Sequence, residues 1–311
     1  MYFKTIKAVL DGTLATTCAK KGITLAEGHA LLKQNLLEMN EEWFSGENPQ
    51  IEYADPFCRL AYLFCHTAAN ANICEIAIRK QPEIDALIMA RANAGEEVRV
   101  CAFGGGPGTE LLALSKHLTK THTPPPLIEI NFTVLDLVPE WAESWDAIWA
   151  QVRTVLRASY AASARPFQVN KSFAPFDMTK VDKFANLAGF LKHDLYIMNY
   201  VVSEVIDNVD DLAGVVRDMR KAAPQDALFL IIDRHQPEVE KRAERLVADA
   251  KLEVINKGSS CSYMDGDEQK DELEPYTANV GRAPRVQWRT SNGRGIFWIL
   301  AKKPRKKAVV I

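Results

Sequence analysis

The densest group of residues suited to chemistry is Phe103-Gly104-Gly105-Gly106-Pro107-Gly108. It follows an apolar run, VRVCAF (98–103), and precedes an amphipathic one, TELLALSKHL (109–118). Glycine tolerates positive φ and lets a ligand approach the backbone closely. The helix start just beyond offers unpaired N–H groups. The plain alternative is a tight strand-to-helix turn with no ligand. The spacing is G-x-G-x-G with a proline inside, which departs from the G-x-G-x-x-G of dinucleotide-binding folds. The second element is Asp136, near the end of EINFTVLDL (129–137). An acid at the carboxyl end of a strand, beside such a turn, can accept both hydroxyls of a ribose. It lies further from the glycines than the ~20 residues usual for that pairing, and the insertion THTPPP (121–126) accounts for the excess. Its alternative role is to cap the helix opened by Pro139.

Three further groups stand where a substrate would meet such a site. Ser203-Glu204 follows the run DLYIMNYVV (194–202); Glu204 can accept a proton or orient an amine, or serve only as a helix-start acid. Asp233-Arg234-His235 ends the run ALFLIIDR (227–234). His235 suits a base, with a surface histidine as the plain alternative. In residues 57–74 the single formal charge is Arg59. At 100° per residue Arg59, His66 and Asn70 share one stripe, with Tyr62 beside it. A helix so poor in charge is buried, so the stripe faces either a polar cleft or an internal hydrogen-bond network. Neither an N-P-P-Y motif nor a Pro-Cys pair is present.

The elements that must position these residues alternate. Residues 1–94 read as helical. Thr24 and Glu27 suit a capping box for one helix. Asp55-Pro56 starts a second, running unbroken to about Arg79, and a third follows Pro82. Beyond Gly95 come strands at 98–103, 129–137, 167–173, 194–202 and 227–234. Between them lie helices at 109–118, 139–162, 184–191 and 210–223. Such alternation predicts a mainly parallel sheet covered on both faces. At the end, VQWRTS (286–291) and IFWILAKK (296–303) read as two strands about the turn NGRG, and the polar stretch 258–284 as a solvated loop.

The chain has 311 residues, 47% of them hydrophobic and 25% charged, with net charge −2. A sizeable core is possible and disorder is not the default. No global charge draws it to nucleic acid or an anionic membrane. The basic run KKPRKK (302–307) is a local exception, suited to RNA contact or a nuclear address, or simply a solvated tail. The six cysteines (Cys18, Cys58, Cys65, Cys74, Cys101 and Cys261) form no CxxC pair and no zinc-like spacing with histidine. No metal is expected, and buried thiols in a reducing compartment fit best. The N-terminus shows no secretory pattern, and the apolar run 57–78 carries too many polar residues for a membrane span. A cytoplasmic protein is expected, with a nuclear one as the alternative.

Taken in order, these segments resemble the class I S-adenosylmethionine-dependent methyltransferases. FGGGPGTELLAL is similar to the first motif of that superfamily, VLDLVPEW to the second, FAPFDMTK to the third and DLYIMNYVVSE to the fourth. The resemblance covers about residues 95–303. It implies a Rossmann-like α/β fold, with a seven-stranded mostly parallel sheet and a C-terminal antiparallel hairpin, preceded by the helical region. It divides the chain into a helical lid and substrate region (1–94), the methyltransferase domain (95–303) and a basic tail (304–311). It implies that Phe103, Gly104, Gly105, Gly106 and Gly108 pass beneath the methionine part of S-adenosylmethionine. Asp136 would hold the ribose, with Leu137 against the adenine. Asp177 would accept the adenine amino group, and Met178 or Phe176 would pack on the ring. Asn199 and Tyr200 would face the sulfonium and the incoming substrate. One departure matters: the family carries an acid two residues before the first glycine, and this chain has Ala102. The cofactor's amino group must then find carbonyl oxygens or another side chain. Glu110 is a candidate, with a helix-start carboxylate as its plain alternative. The function expected is methyl transfer to an oxygen or nitrogen, with a small molecule favoured over RNA or protein as acceptor. The competing expectation is a non-catalytic cofactor-binding sensor or scaffold.

Overall fold

A computed structural model describes residues 1–44, 51–121, 128–159, 168–180, 192–260, 262–263, 266–282, 287–288 and 295–304. In chain order its strands are β1 (Val98–Phe103), β2 (Glu129–Asp136), β3 (Gln168–Pro175), β4 (Leu195–Asn199), β5 (Leu228–Arg234), β6 (Glu253–Ser260), β7 (Ser262–Tyr263), β8 (Gln287–Trp288) and β9 (Ile296–Lys302). Seven of them form one sheet in the order β3-β2-β1-β4-β5-β9-β6. The first five in that order run parallel. β9 runs antiparallel to both of its neighbours. This is a Rossmann-like α/β fold.

Alternation along the strands divides the core. Val98, Val100 and Ala102 of β1, with Ile130, Phe132 and Val134 of β2, join one cluster. Cys101, Phe103 and Leu135 face the other way and join a second. A period of two on a sheet buried on both faces requires this. The first cluster is continuous with α1 (Tyr2–Lys21), α2 (Leu25–Phe44), α3 (Pro56–Tyr62), α4 (Ala68–Arg79) and α5 (Pro82–Asn93), and with α6 (Thr109–Thr121) and α7 (Trp141–Ser159). The short α8 (Val201–Glu204), α9 (Val209–Ala222) and α10 (Pro237–Asp249) serve the second.

The helix starts follow the sequence. Asp55 accepts hydrogen bonds from the N–H groups of Phe57 and Cys58, with Pro56 in the first turn. Thr24 and Glu27 close a reciprocal capping box, with Glu27 N–H to Thr24 Oγ1 at 3.2 Å and Thr24 N–H to Glu27 Oε2 at 2.7 Å. The helix expected to run unbroken from Pro56 to Arg79 instead contains a π-helical turn, Leu63–Thr67. Such a turn inserts one residue and rotates the faces before and after it relative to each other.

The C-terminal hairpin is built differently from the sequence expectation. The last strand pairs with β6, in the register Val254↔Ala301 and Ser260↔Ile296, whereas among the described residues Gln287–Trp288 pairs with β7. The polar stretch read as a loop contains both the end of β6 and a helix, α11 (Gly266–Val280), which packs on α1 and α2. Tyr276 anchors it, donating to Asp11 Oδ1 at 2.8 Å. The helix expected at 184–191 and the turn NGRG lie outside the described residues. Among the described residues no helix is long and apolar enough to cross a membrane.

Candidate functional site

The strand order reverses between β1 and β4, because the chain builds outward through β2 and β3 before returning to β4 and β5. Ligands of doubly wound sheets sit outside the carboxyl ends of the strands at this switch point. The residues there are Phe103 and the glycine turn from β1, and Asn199 and Tyr200 from β4.

The turn is shaped by contacts that only glycine permits. Gly106 has φ of 45° and its N–H donates to Asp136 Oδ2 at 2.8 Å. Gly108 has φ of 81°, and a Cβ there would fall 1.9 Å from Cε3 of Trp145. Gly104 N–H donates to the Leu135 carbonyl at 2.8 Å, binding the turn to β2. Asp136 is 8% exposed, and its other oxygen accepts the Val138 N–H at 3.0 Å. This is a bond within the loop and not a cap, since the next helix begins only at Trp141, and each carboxylate oxygen keeps a lone pair for a hydroxyl donor. Burial pushes the Asp136 carboxyl up to about 6, against the backbone N–H groups that favour its charged form.

Glu110 lies at the start of α6, 2% exposed. Its Oε2 is 3.3 Å from where a Gly105 Cβ would stand, and the Ala102 Cβ is 2.9 Å from the same point. The carboxyl thus sits beside the small side chain of Ala102. Burial pushes it up to about 8, with the Asn199 side chain partly opposing and Asp136 adding. Asn199 is 7% exposed, and its Nδ2 leans on the Asn70 carbonyl at 3.5 Å. Tyr200 holds φ of 65°, a left-handed conformation uncommon outside glycine. Strain of this kind gathers at functional sites.

The N-terminal helices close over this edge. The Trp141 indole lies 3.6 Å from the position of a Gly106 Cβ. Tyr53 and Tyr62 each lie 5.3 Å from the Trp141 ring, centroid to centroid. Tyr62 also meets His66 at 5.4 Å, and the Asn70 amide donates to its hydroxyl at 2.9 Å. The expected stripe therefore splits. Tyr62, His66 and Asn70 stay together above the switch point. Arg59 turns away to the Tyr53 and Ala54 carbonyls at 2.9 and 2.8 Å and to Glu143 at 3.2 Å. The π turn between Tyr62 and Ala68 accounts for the split. The sequence singles out neither Tyr53 nor Trp141 as a site residue. The signal for Tyr53 was its place just before the Asp55-Pro56 helix start; Trp141 lies in the first turn after the Asp136 loop.

The remaining expected residues lie around this centre. Met178 packs against the turn, its Cε 3.3 Å from a Gly104 Cβ position. Phe176 is buried in the second core. Leu137 is exposed at the rim. Asp177 turns its Oδ1 onto its own loop, accepting from Thr179 N–H at 2.9 Å and Oγ1 at 2.6 Å. Glu204 lies 3.6 Å from Arg234, its side chain 43% exposed. Asp233 is buried, and each of its oxygens accepts a backbone N–H, from Ser203 at 2.9 Å and from Arg234 at 2.7 Å. His235 sits at the corner of β5 and α10, 3.4 Å from Glu240 and edge-on to Phe297. Of the basic tail, Lys302 pairs with Glu253 at 3.0 Å, and Lys303 donates to the Ala223 carbonyl at 2.6 Å. Residues 305–311 lie outside the described part. The described cysteines are buried and unbridged, and no described cluster of His, Cys, Asp or Glu could hold a metal.

No protein-family model matches the chain, and no curated protein matches it. Solved structures do. A SAM-dependent methyltransferase from Methanosarcina mazei is 11% identical, with a TM-score of 0.39, over 68% of this chain and 94% of the other. A TehB-like SAM-dependent methyltransferase from Corynebacterium glutamicum is 13% identical, with a TM-score of 0.36, over 70% and 94%. The plantazolicin methyltransferase BpumL, solved with SAH, is 14% identical, with a TM-score of 0.37, over 89% and 98%. These likenesses are too distant to carry residue roles across.

Proposed function

We propose that this chain is an S-adenosylmethionine-dependent methyltransferase that binds its cofactor across the β1–β4 switch point. The observation that carries this reading is the pairing of Asp136 with the glycine turn. A buried carboxylate is held by the Gly106 and Val138 N–H groups with lone pairs to spare, next to backbone that no Cβ crowds. When bound, the cofactor supplies a methyl group activated by a sulfonium. Asp136 holds the ribose hydroxyls. Leu137, Met178 and Phe176 provide the apolar surface for the adenine. Asn199 and Tyr200 border the point of transfer.

Methyl transfer is an in-line displacement, so the chain's main tasks are alignment and exclusion of water. Tyr53, Tyr62 and Trp141 serve the second task. The acceptor is an oxygen or nitrogen of a small molecule rather than of RNA or protein, supported by the net charge of −2 and by the engagement of Lys302 and Lys303 in the fold. Glu204 and His235 are the candidates for proton acceptance on the acceptor side. A second reading is a non-catalytic cofactor-binding sensor or scaffold; Ala102, in place of the family's acid, favours it.

Calorimetric titration with S-adenosylmethionine, its demethylated product and NAD tests the proposal. Saturable binding of the first two and not of NAD is expected. Binding of none, or of NAD alone, overturns the assignment. Turnover of the bound cofactor with any acceptor eliminates the second reading.

A further inference from the structure

Three buried oxygens at the switch point accept no hydrogen bond: Glu110 Oε2, Asn70 Oδ1 and Asn199 Oδ1. They come from three elements, α6, α4 and the end of β4. Asn199 links them, since its amide reaches the Asn70 carbonyl at 3.5 Å and interacts with the Glu110 carboxyl. The Asn70 amide nitrogen is engaged by the Tyr62 hydroxyl at 2.9 Å. The nitrogen ends of both amides are thus occupied within the protein, and it is the oxygen ends that lack donors. Buried acceptors without donors are costly; a protonated Glu110 supplies at most one O–H among the three groups, so the arrangement suits a ligand that brings the remaining donors.

We infer that Glu110, Asn70 and Asn199 form a socket for a primary ammonium group, the one at the amino-acid end of the cofactor. This rests on the reading above. A primary ammonium offers three N–H donors and no acceptor, matching three unmet oxygens, one of them a carboxyl. The place also fits. Glu110 Oε2 lies beside Ala102 and under the glycine turn, so a helix-borne acid reaches the region where the family uses a strand-borne one.

A second consequence follows from the surroundings. The titratable groups facing Glu110 are Asp136 from β2, Tyr62 from α3 and Cys74 from α4, with the neutral Asn199 from β4. None brings a positive charge. Burial then keeps Glu110 mostly protonated at neutral pH, its pKa up at about 8. An arriving ammonium favours the carboxylate, so the O–H bond of Glu110 breaks and its proton passes to solvent as the ion pair forms. Ligand affinity rises with pH up to about 8.

Calorimetry on the full chain tests this at pH 7, in two buffers of different ionisation enthalpy, with wild type and Glu110→Gln. The ligands are the demethylated cofactor and 5′-methylthioadenosine, which keeps the nucleoside and lacks the amino acid. Wild type should bind the first ~100-fold more tightly than the second, and release close to one proton with the first only. Glu110→Gln should lose ~30-fold or more on the first ligand, about 2-fold or less on the second, and all proton release. Equal losses on both ligands, or no loss, overturn the socket. So does the absence of proton release in wild type, a readout that does not depend on the variant folding. If 5′-methylthioadenosine binds and the amino acid adds nothing, the socket alone falls. If neither ligand binds wild type, the cofactor reading falls and the socket with it.

Discussion

Two buried carboxyls stand at opposite ends of the sheet, and their surroundings differ. Asp194, just before β4 at the amino edge, is fully buried. Its Oδ2 accepts the Arg99 N–H at 2.8 Å, and its Oδ1 lies 3.0 Å from Arg91 and 3.4 Å from Arg99. Glu110, at the carboxyl edge, is almost as buried, and its Oε2 accepts nothing. A buried charge surrounded by donors ties elements together; Asp194 joins β4 to β1 and α5. A buried acid with an oxygen left unmet costs stability on its own and is retained only where something else meets it. Burial therefore does not mark a functional site by itself; the unmet hydrogen-bonding capacity does.

Substitutions can break or sharpen this contrast. Asp194→Asn should have the largest effect, a loss of about 4 kcal/mol in urea unfolding at pH 7, because two guanidinium groups lose their shared partner. A loss below about 1 kcal/mol would mean that the amino-edge network is not structural.

Glu110→Gln should act in the opposite direction. A carboxyl whose pKa rises from the ordinary 4.5 to about 8 in the folded state binds protons more tightly folded than unfolded. Its contribution is intact below about 4.5 and is lost as pH climbs through 8. The variant should therefore be more stable than wild type by up to about 4 kcal/mol at pH 8 and nearly indistinguishable from it near pH 4.5. Asp136, pushed from 3.8 up to about 6, completes its own loss of stability by about pH 6; burial also raises Glu204 and Asp233, and because wild type and variant share these groups, the difference between the two proteins from pH 6 to 8 reports Glu110. Thermal unfolding across that range gives the check; parallel curves for the two proteins would contradict the assigned environment.

Asp136→Ala should weaken binding of the demethylated cofactor by about 2 kcal/mol, roughly 30-fold, while the protein stays folded. Unchanged affinity in the titration would remove Asp136 from the ribose site. Glu143→Gln should have the smallest effect, within about 0.5 kcal/mol by chemical unfolding. Glu143 is 70% exposed, and Arg59 keeps its two backbone carbonyl partners. A larger loss would show that this exposed pair holds the helical cover in place.

Much of the site was legible before folding. The glycine turn, Asp136, Asn199 and Glu110 all lie at element boundaries that hydrophobic periodicity locates. The stripe on 57–74 was legible only in part, because the π turn at Leu63–Thr67 arises from packing and moves Arg59 off it. Tyr53 was missed because an aromatic in a short loop carries no periodic signal. Helix α11 was missed because a polar helix containing Pro275 resembles a loop until α1 and α2 supply the surface it packs on.

The sequence alone determined the alternation of strands and helices, and hence a parallel sheet with a ligand edge, because the periods of two and 3.6 are local properties of the chain. It also determined which acids lie near that edge. Only the tertiary structure decided the partner of β9. An antiparallel strand made of Ile, Phe, Trp and Leu can pair with any neighbour of matching length, and β6 is the strand that the fold brings beside it. Only the tertiary structure, too, decided that Asp194 is satisfied and Glu110 is not. Hydrogen-bond satisfaction depends on groups from distant segments arriving at one point, which no local pattern in the chain records.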